Sequence, residues 1–122
     1  MVSTMTAQVQ DQKLLISTFQ TLEIVSVSSI VHVEAYENYC KLHTVTGDVH
    51  LSTTSFGSTI VQLAGFGFFH CHKSFAISFR HIKRVHKSGV IELVTGCKVP
   101  LARRRKELFF EELELWCNWN QR

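Results

Sequence analysis

The sequence predicts a mainly β domain of small antiparallel sheets, with one short internal helix and one C-terminal helix. Three observations carry that expectation. Short runs rich in Val, Ile, Thr, Phe and Tyr recur along the chain, separated by turn residues. Glycine-bearing pairs, Gly47-Asp48, Ser88-Gly89 and Thr95-Gly96, stand between such runs at hairpin positions. Two stretches break the pattern with apolar residues at three- or four-residue spacing, which is a helical period.

Taken in order, residues 1–12 are polar and aperiodic, and a flexible leader or the end of a linker is expected there. The folded domain is expected over 13–118 and a short tail over 119–122. Strands are expected at 13–19, 22–27, 30–36, 39–44 and 48–52, each short and locally paired. Phe56, Ile60 and Leu63 then recur at helical spacing, preceded by Ser and Thr caps and followed by Gly65, so a helix is expected within 52–64. The strand pattern resumes at 68–71, 74–77, 82–87, 90–94 and 98–99. Beyond Pro100, the series Leu101, Leu108, Phe109, Leu113 and Trp116 predicts an amphipathic helix whose apolar face joins the core.

At 122 residues and 45% apolar content, the chain is sized for one core. Its net charge of +3 conceals a sharp asymmetry. From His70 to Lys106 there are ten Lys or Arg against one acid, Glu92, for a local charge of +9, whereas the remainder is −6. Such segregation is the footprint of a protein that meets a polyanion. The four cysteines, Cys40, Cys71, Cys97 and Cys117, are widely spaced, and they read as reduced, buried thiols of a cytoplasmic protein. No Cys-x-x-Cys or His-x-x-x-His spacing marks a metal site, and neither metal nor cofactor is expected. The chain also lacks paired catalytic carboxylates, a nucleophile with a nearby base and a phosphate-binding glycine loop, which argues against an enzyme.

Three segments stand out. Arg103-Arg104-Arg105-Lys106 falls where the last helix begins, although cations oppose the positive end of the helix dipole at ~0.3–1 kcal/mol each. Acids such as Glu107 offset part of that cost, and the remaining conflict is what a phosphate-facing helix start would show. In Phe69-His70-Cys71-His72-Lys73-Ser74-Phe75, the aromatics anchor a core while His72, Lys73 and Ser74 form an exposed turn. In Glu34-Ala35-Tyr36-Glu37-Asn38-Tyr39-Cys40-Lys41, Asn38 sits at a turn between two strands.

In order and spacing, these segments resemble the LytTR family of bacterial transcription regulators over roughly residues 13–116. The resemblance rests on the run from Ile30 to Tyr39, on His72-Lys73-Ser74-Phe75, and on Val99-Pro100-Leu101-Ala102-Arg103-Arg104. Ala102 and Ser78 depart from the usual Ser and Asn at their positions. The resemblance implies an elongated array of small sheets whose loops enter successive major grooves of duplex DNA. It implies base contacts by Arg103, Lys73, Asn38 and Cys40, and phosphate contacts by Lys41, His70, His72, Ser74, Arg104, Arg105 and Lys87. It further implies the effector part of a two-component response regulator in the bacterial cytoplasm, binding direct repeats of double-stranded DNA as a possible dimer. A receiver or sensor domain would then lie elsewhere in the parent protein or in a partner, and no membrane contact is expected. Two other readings of the residues stay open. One is a single-stranded nucleic-acid binder stacking bases on Tyr36, Tyr39 and Phe69; the other is a basic module docking an acidic protein.

Overall fold

The structure is a computed structural model and describes residues 12–119. The leader expected over 1–12 and the tail over 119–122 lie outside the described residues, apart from Gln12 and the backbone of Trp119.

Among the described residues, ten strands form three antiparallel sheets. Strands β1 (Lys13–Ser17) and β2 (Leu22–Ser26) make a two-stranded ribbon. Strands β3 (Ile30–Tyr36), β4 (Tyr39–Thr44), β5 (Val49–Ser52), β6 (Phe68–His72) and β7 (Phe75–Ser78) make a five-stranded sheet in the order β5-β4-β3-β7-β6. Strands β8 (Ile82–His86), β9 (Val90–Leu93) and β10 (Lys98–Pro100) make a third sheet in the order β10-β9-β8. Helix α1 (Phe56–Leu63) links β5 to β6, and helix α2 (Lys106–Trp119) follows a 3₁₀ turn over Arg103–Arg105. No helix among the described residues is long and apolar enough to cross a membrane.

The five-stranded sheet is the middle layer, because its strands carry apolar residues on both faces. Ala76 and Ile77 are neighbours on β7 and serve opposite clusters, as the alternation of a strand requires. One cluster gathers Ile16 and Val25 of the ribbon, Leu63 of α1, and Ile30, Val33, Cys40 and Leu42 of the sheet. The other gathers Ile91, Leu93 and Val99 of the third sheet and Phe109 of α2 against Phe69, Cys71 and Ile77. Phe109 is fully buried, with ring centroids 5.4 Å from Phe69 and 5.9 Å from Phe79. Burying one such ring contributes about 1.5–3 kcal/mol.

Where expectation and structure differ, local chemistry explains it. Strand β1 ends at Ser17 rather than Phe19, because the Thr18 hydroxyl accepts from the backbone N–H groups of Gln20 and Thr21 and turns the chain. The internal helix starts at Phe56, with Ser55 as its N-cap accepting from Ser58 N–H; Ser52, where the expected strand and helical stretch meet, pairs with Cys40 as the end of β5. Leu108 is exposed, since Phe109 takes the inward position, while Leu113 and Trp116 pack on the cluster as expected. Cys40 and Cys71 are buried thiols, whereas Cys97 and Cys117 are exposed.

Candidate nucleic-acid interface

Two hairpin tips lie side by side at one end of the five-stranded sheet. The first is a two-residue connection, Glu37-Asn38, flanked by the pair Tyr36 and Tyr39. Glu37 has φ of 54°, a left-handed backbone that non-glycine residues adopt at a cost. Asn38 is exposed at this tip. Lys41 follows on β4 with its ammonium 4.2 Å from the Tyr36 ring centroid, a cation–π contact that holds the cation on the tip.

The second tip is Lys73-Ser74, flanked by His72 and Phe75. Lys73 is exposed, and the His72 ring accepts from Ser74 N–H through Nδ1 at 3.1 Å, which fixes the turn. Because β3 and β7 are antiparallel neighbours with Glu34 opposite Phe75, the two tips point the same way. The Ala35 N–H donates to the Ser74 carbonyl at 2.8 Å and joins them directly.

The arginine segment extends this row. Ala102 N–H donates to the Cys71 carbonyl at 2.9 Å, which lays Arg103–Arg105 along β6 beside the second tip. A third tip, Lys87-Ser88-Gly89 between β8 and β9, adds the last member, since Leu101 N–H donates to the Gly89 carbonyl at 3.0 Å. Gly89 has φ of 115°, a backbone conformation that side-chain-bearing residues rarely adopt, so this junction suits glycine. Lys87 is exposed. Four segments that are far apart in sequence are thus spliced in order by three backbone hydrogen bonds.

The three arginines differ in surroundings. Arg103 and Arg104 are exposed, and Ala102 offers no side-chain cap to the 3₁₀ turn that carries them. Arg105 is half-buried, and its Nη1 donates to the His70 carbonyl at 3.1 Å. It therefore fastens the start of α2 to β6, which corrects its expected role as a phosphate contact. His70 is corrected likewise. Its ring meets Phe56 of α1 edge-on at 5.3 Å with Nε2 buried, and burial followed by the nearby Arg105 charge lowers its pKa. With Nε2 buried against α1, the ring is turned inward, away from a phosphate.

Cys40 is the third correction. It is fully buried, with Sγ 3.3 Å from the Thr59 hydroxyl of α1, and burial raises its pKa. On β4 it faces the first core cluster, so the adjacent Lys41 takes the outward position. Glu92 is a residue whose role the sequence understated. As the lone acid of the basic segment, it lies 3.9 Å from Lys83 Nζ and 3.8 Å from Arg84 Nε, and it hydrogen-bonds to His86. The His86 bond leads the causes that hold its carboxylate below the usual range, with Arg84 and Lys83 adding to them. Cations on β8 are thereby partly neutralised.

Comparison with known protein families gives a match over residues 20–114 to the LytTr DNA-binding domain. The chain belongs to the LytTR family. Among solved structures, the LytTR fold recurs in the LytTr DNA-binding domain of a methyl-accepting/DNA response regulator from Bacillus cereus. That structure superposes with a TM-score of 0.72 at 19% identity, covering 83% of this chain and 95% of the other. No curated protein matches the chain. The LytTR match encloses all four spliced segments, from the Glu37-Asn38 tip to Arg103 and Arg104. It is a family of DNA-binding domains.

Proposed function

We propose that this chain binds duplex DNA sequence-specifically, presenting to it the row of three tips and the arginine segment. The observation that carries the reading is the splicing of Ala35 to Ser74, Cys71 to Ala102 and Gly89 to Leu101, which brings otherwise scattered cations to one edge. Strands lie about 4.8 Å apart, so from β4 across β3, β7 and β6 to residues 102–105 the row spans about 20 Å. That exceeds the ~12 Å width of one major groove, so the outer segments meet the flanking backbones or a neighbouring groove while a central one enters.

Arg103, Lys73 and Asn38 are assigned to base edges, where an exposed guanidinium fork suits guanine O6 and N7. Lys41, His72, Ser74, Arg104 and Lys87 are assigned to phosphates, which fix position without reading sequence. The stacking alternative is disfavoured, because Phe69 is buried in the core, Tyr39 meets Phe19 edge-on at 5.2 Å, and the exposed Tyr36 ring carries the Lys41 cation 4.2 Å from its centroid. The biological reading that follows is a cytoplasmic transcription regulator, the effector part of a two-component response regulator, with two copies on direct repeats. Its receiver or sensor domain belongs elsewhere in the parent protein or to a partner.

Selection of bound sequences from a random duplex pool tests this. Enrichment of a spaced repeat, lost with Arg103→Ala, is the expected result. Equal binding to every duplex, or preference for single strands over duplex, would overturn the assignment.

A further inference from the structure

Away from the row of tips, a second group of side chains meets where the five-stranded and three-stranded sheets face each other. His32 of β3 and His43 of β4 are register partners, and their rings stack 4.1 Å apart at 10°. Glu34, two residues further on the same face of β3, has Oε1 3.1 Å from His43 Nε2. One ligand atom from each of these three residues lies within 4.8 Å of the others. From the third sheet, Cys97 at the turn before β10 brings Sγ to 3.9 Å from His32 Nε2. The thiol is free. His32 is 2% exposed, and its Nδ1 has no hydrogen-bond partner. A buried imidazole whose best contacts are a stacked ring and a distant thiol is poorly satisfied for a polar side chain.

We propose that His32, Glu34, His43 and Cys97 form a binding site for a divalent first-row transition metal, with zinc best matched to the donor set. Two imidazoles, a carboxylate and a thiolate suit zinc in tetrahedral coordination, with bonds of about 2.0–2.3 Å. Bonds of that length place ligand atoms about 3.3–3.6 Å apart along the edges of the tetrahedron. The observed Glu34 to His43 and His32 to Cys97 separations, 3.1 and 3.9 Å, lie on either side of that range, and because Cys97 stands outside the 4.8 Å group formed by the other three, closure also draws the β9–β10 turn inward. Parallel rings aim their lone pairs side by side, so closure on a metal requires His43, the more exposed of the two, to tilt out of the stack. On binding, the Cys97 thiol loses its proton to solvent and coordinates as thiolate, His43 gives its Nε2 proton to solvent, takes one back on Nδ1 and coordinates through Nε2, and His32 coordinates as a neutral imidazole through the Nε2 that faces Cys97.

The ligands come from positions 32, 34, 43 and 97, a spacing with no sequence signature, and they meet only through strand pairing and the packing of two sheets. Coordination clamps the β9–β10 turn onto β3 and β4. It therefore fixes the sheet that carries the Lys87 tip against the sheet that carries the Asn38 and Lys73 tips.

Titration of the full chain, kept reduced, with zinc chloride and separately with cobalt chloride tests the proposal. The expected result is one equivalent of metal per chain, a tetrahedral cobalt spectrum with a sulfur-to-cobalt charge-transfer band, and a thermal midpoint raised by zinc. Cys97→Ser should abolish the charge-transfer band, and both it and His43→Gln should weaken binding by more than about tenfold. Both residues are at least partly solvent-exposed, so these variants are expected to fold, with circular dichroism as the check; Cys117→Ser should leave the spectrum unchanged. Absence of stoichiometric binding, or a spectrum that survives Cys97→Ser, would overturn the site.

Discussion

Replacing Arg105 with alanine and, separately, Arg103 with alanine should split two properties that a simple charge map would lump together. Arg105 Nη1 donates to the His70 carbonyl at 3.1 Å from a half-buried position, whereas Arg103 is exposed. A hydrogen bond from a charged donor is worth about 1.5–3 kcal/mol, and truncation also leaves the His70 carbonyl short of a partner. Arg105→Ala is therefore expected to lower unfolding free energy by about 2 kcal/mol. Arg103→Ala, an exposed change remote from any cap or core contact, should stay within about 0.5 kcal/mol of the parent. The order reverses for DNA. Loss of a bidentate base contact should cost Arg103→Ala about 1–3 kcal/mol of binding and relax preference at one base pair. Urea denaturation, read as midpoint and slope, gives the first quantity, and titration of labelled duplex at fixed salt gives the second. If Arg105→Ala unfolds at the parent midpoint yet binds DNA as weakly as Arg103→Ala, the assignment of Arg105 as a structural fastener is wrong.

Arg104→Ala should weaken all duplexes alike and reduce the slope of log affinity against log salt by about 0.9, as loss of one phosphate contact does; an unchanged slope would remove it from the interface. Phe109→Ala, which empties the centre of the aromatic cluster with Phe69 and Phe79, should cost about 3–5 kcal/mol by denaturation, and a loss below 1 kcal/mol would contradict its full burial. Burial, with His43 stacked on it, brings the His32 pKa down from 6.5 to about 4. Glu34 hydrogen-bonds to that His43, and Cys97 lies against His32 itself. As pH falls through 6.5, the unfolded chain takes up this proton while the folded one does not. Stability attributable to this ring is therefore intact above pH 6.5 and declines by about 3 kcal/mol towards pH 4. The metal-free protein should show His32 ring resonances still in the neutral position at pH 5, and titration near 6.5 would refute the buried, neutral state.

Much of the fold was legible because its signals are local. Alternating apolar residues and the glycine turns located the described strands to within a few residues, and Phe56, Ile60 and Leu63 marked the helix that Ser55 caps. The differences arose where contacts between elements decide. Cys40 and Lys41 are adjacent, and only the identity of the covered face tells which one looks outward. Four consecutive cations looked alike in sequence, yet a 3₁₀ turn over Arg103–Arg105 sends Arg105 inward and leaves its two predecessors exposed. Glu92 was visible as a lone acid, but its pairing with Lys83, Arg84 and His86 depends on the register of β8 with β9. The cluster of His32, Glu34, His43 and Cys97 was hidden altogether, because strand pairing joins three of its members and sheet packing supplies the fourth.

The left-handed Glu37 has a consequence for how the Asn38 tip meets a partner. A residue held at φ of 54° without the freedom of glycine needs its surroundings to impose that shape, and here the Tyr36–Tyr39 pair and the Lys41 cation over Tyr36 do so. The entropy of shaping this loop is thus lost when the chain folds, not when DNA arrives. Asn38 is presented in one posture, and association at this tip should proceed as rigid docking with little accompanying order gained. Exchanging Glu37 for glycine would relieve the local strain and at the same time give the tip other shapes to visit, so a more comfortable backbone would make a less discriminating reader.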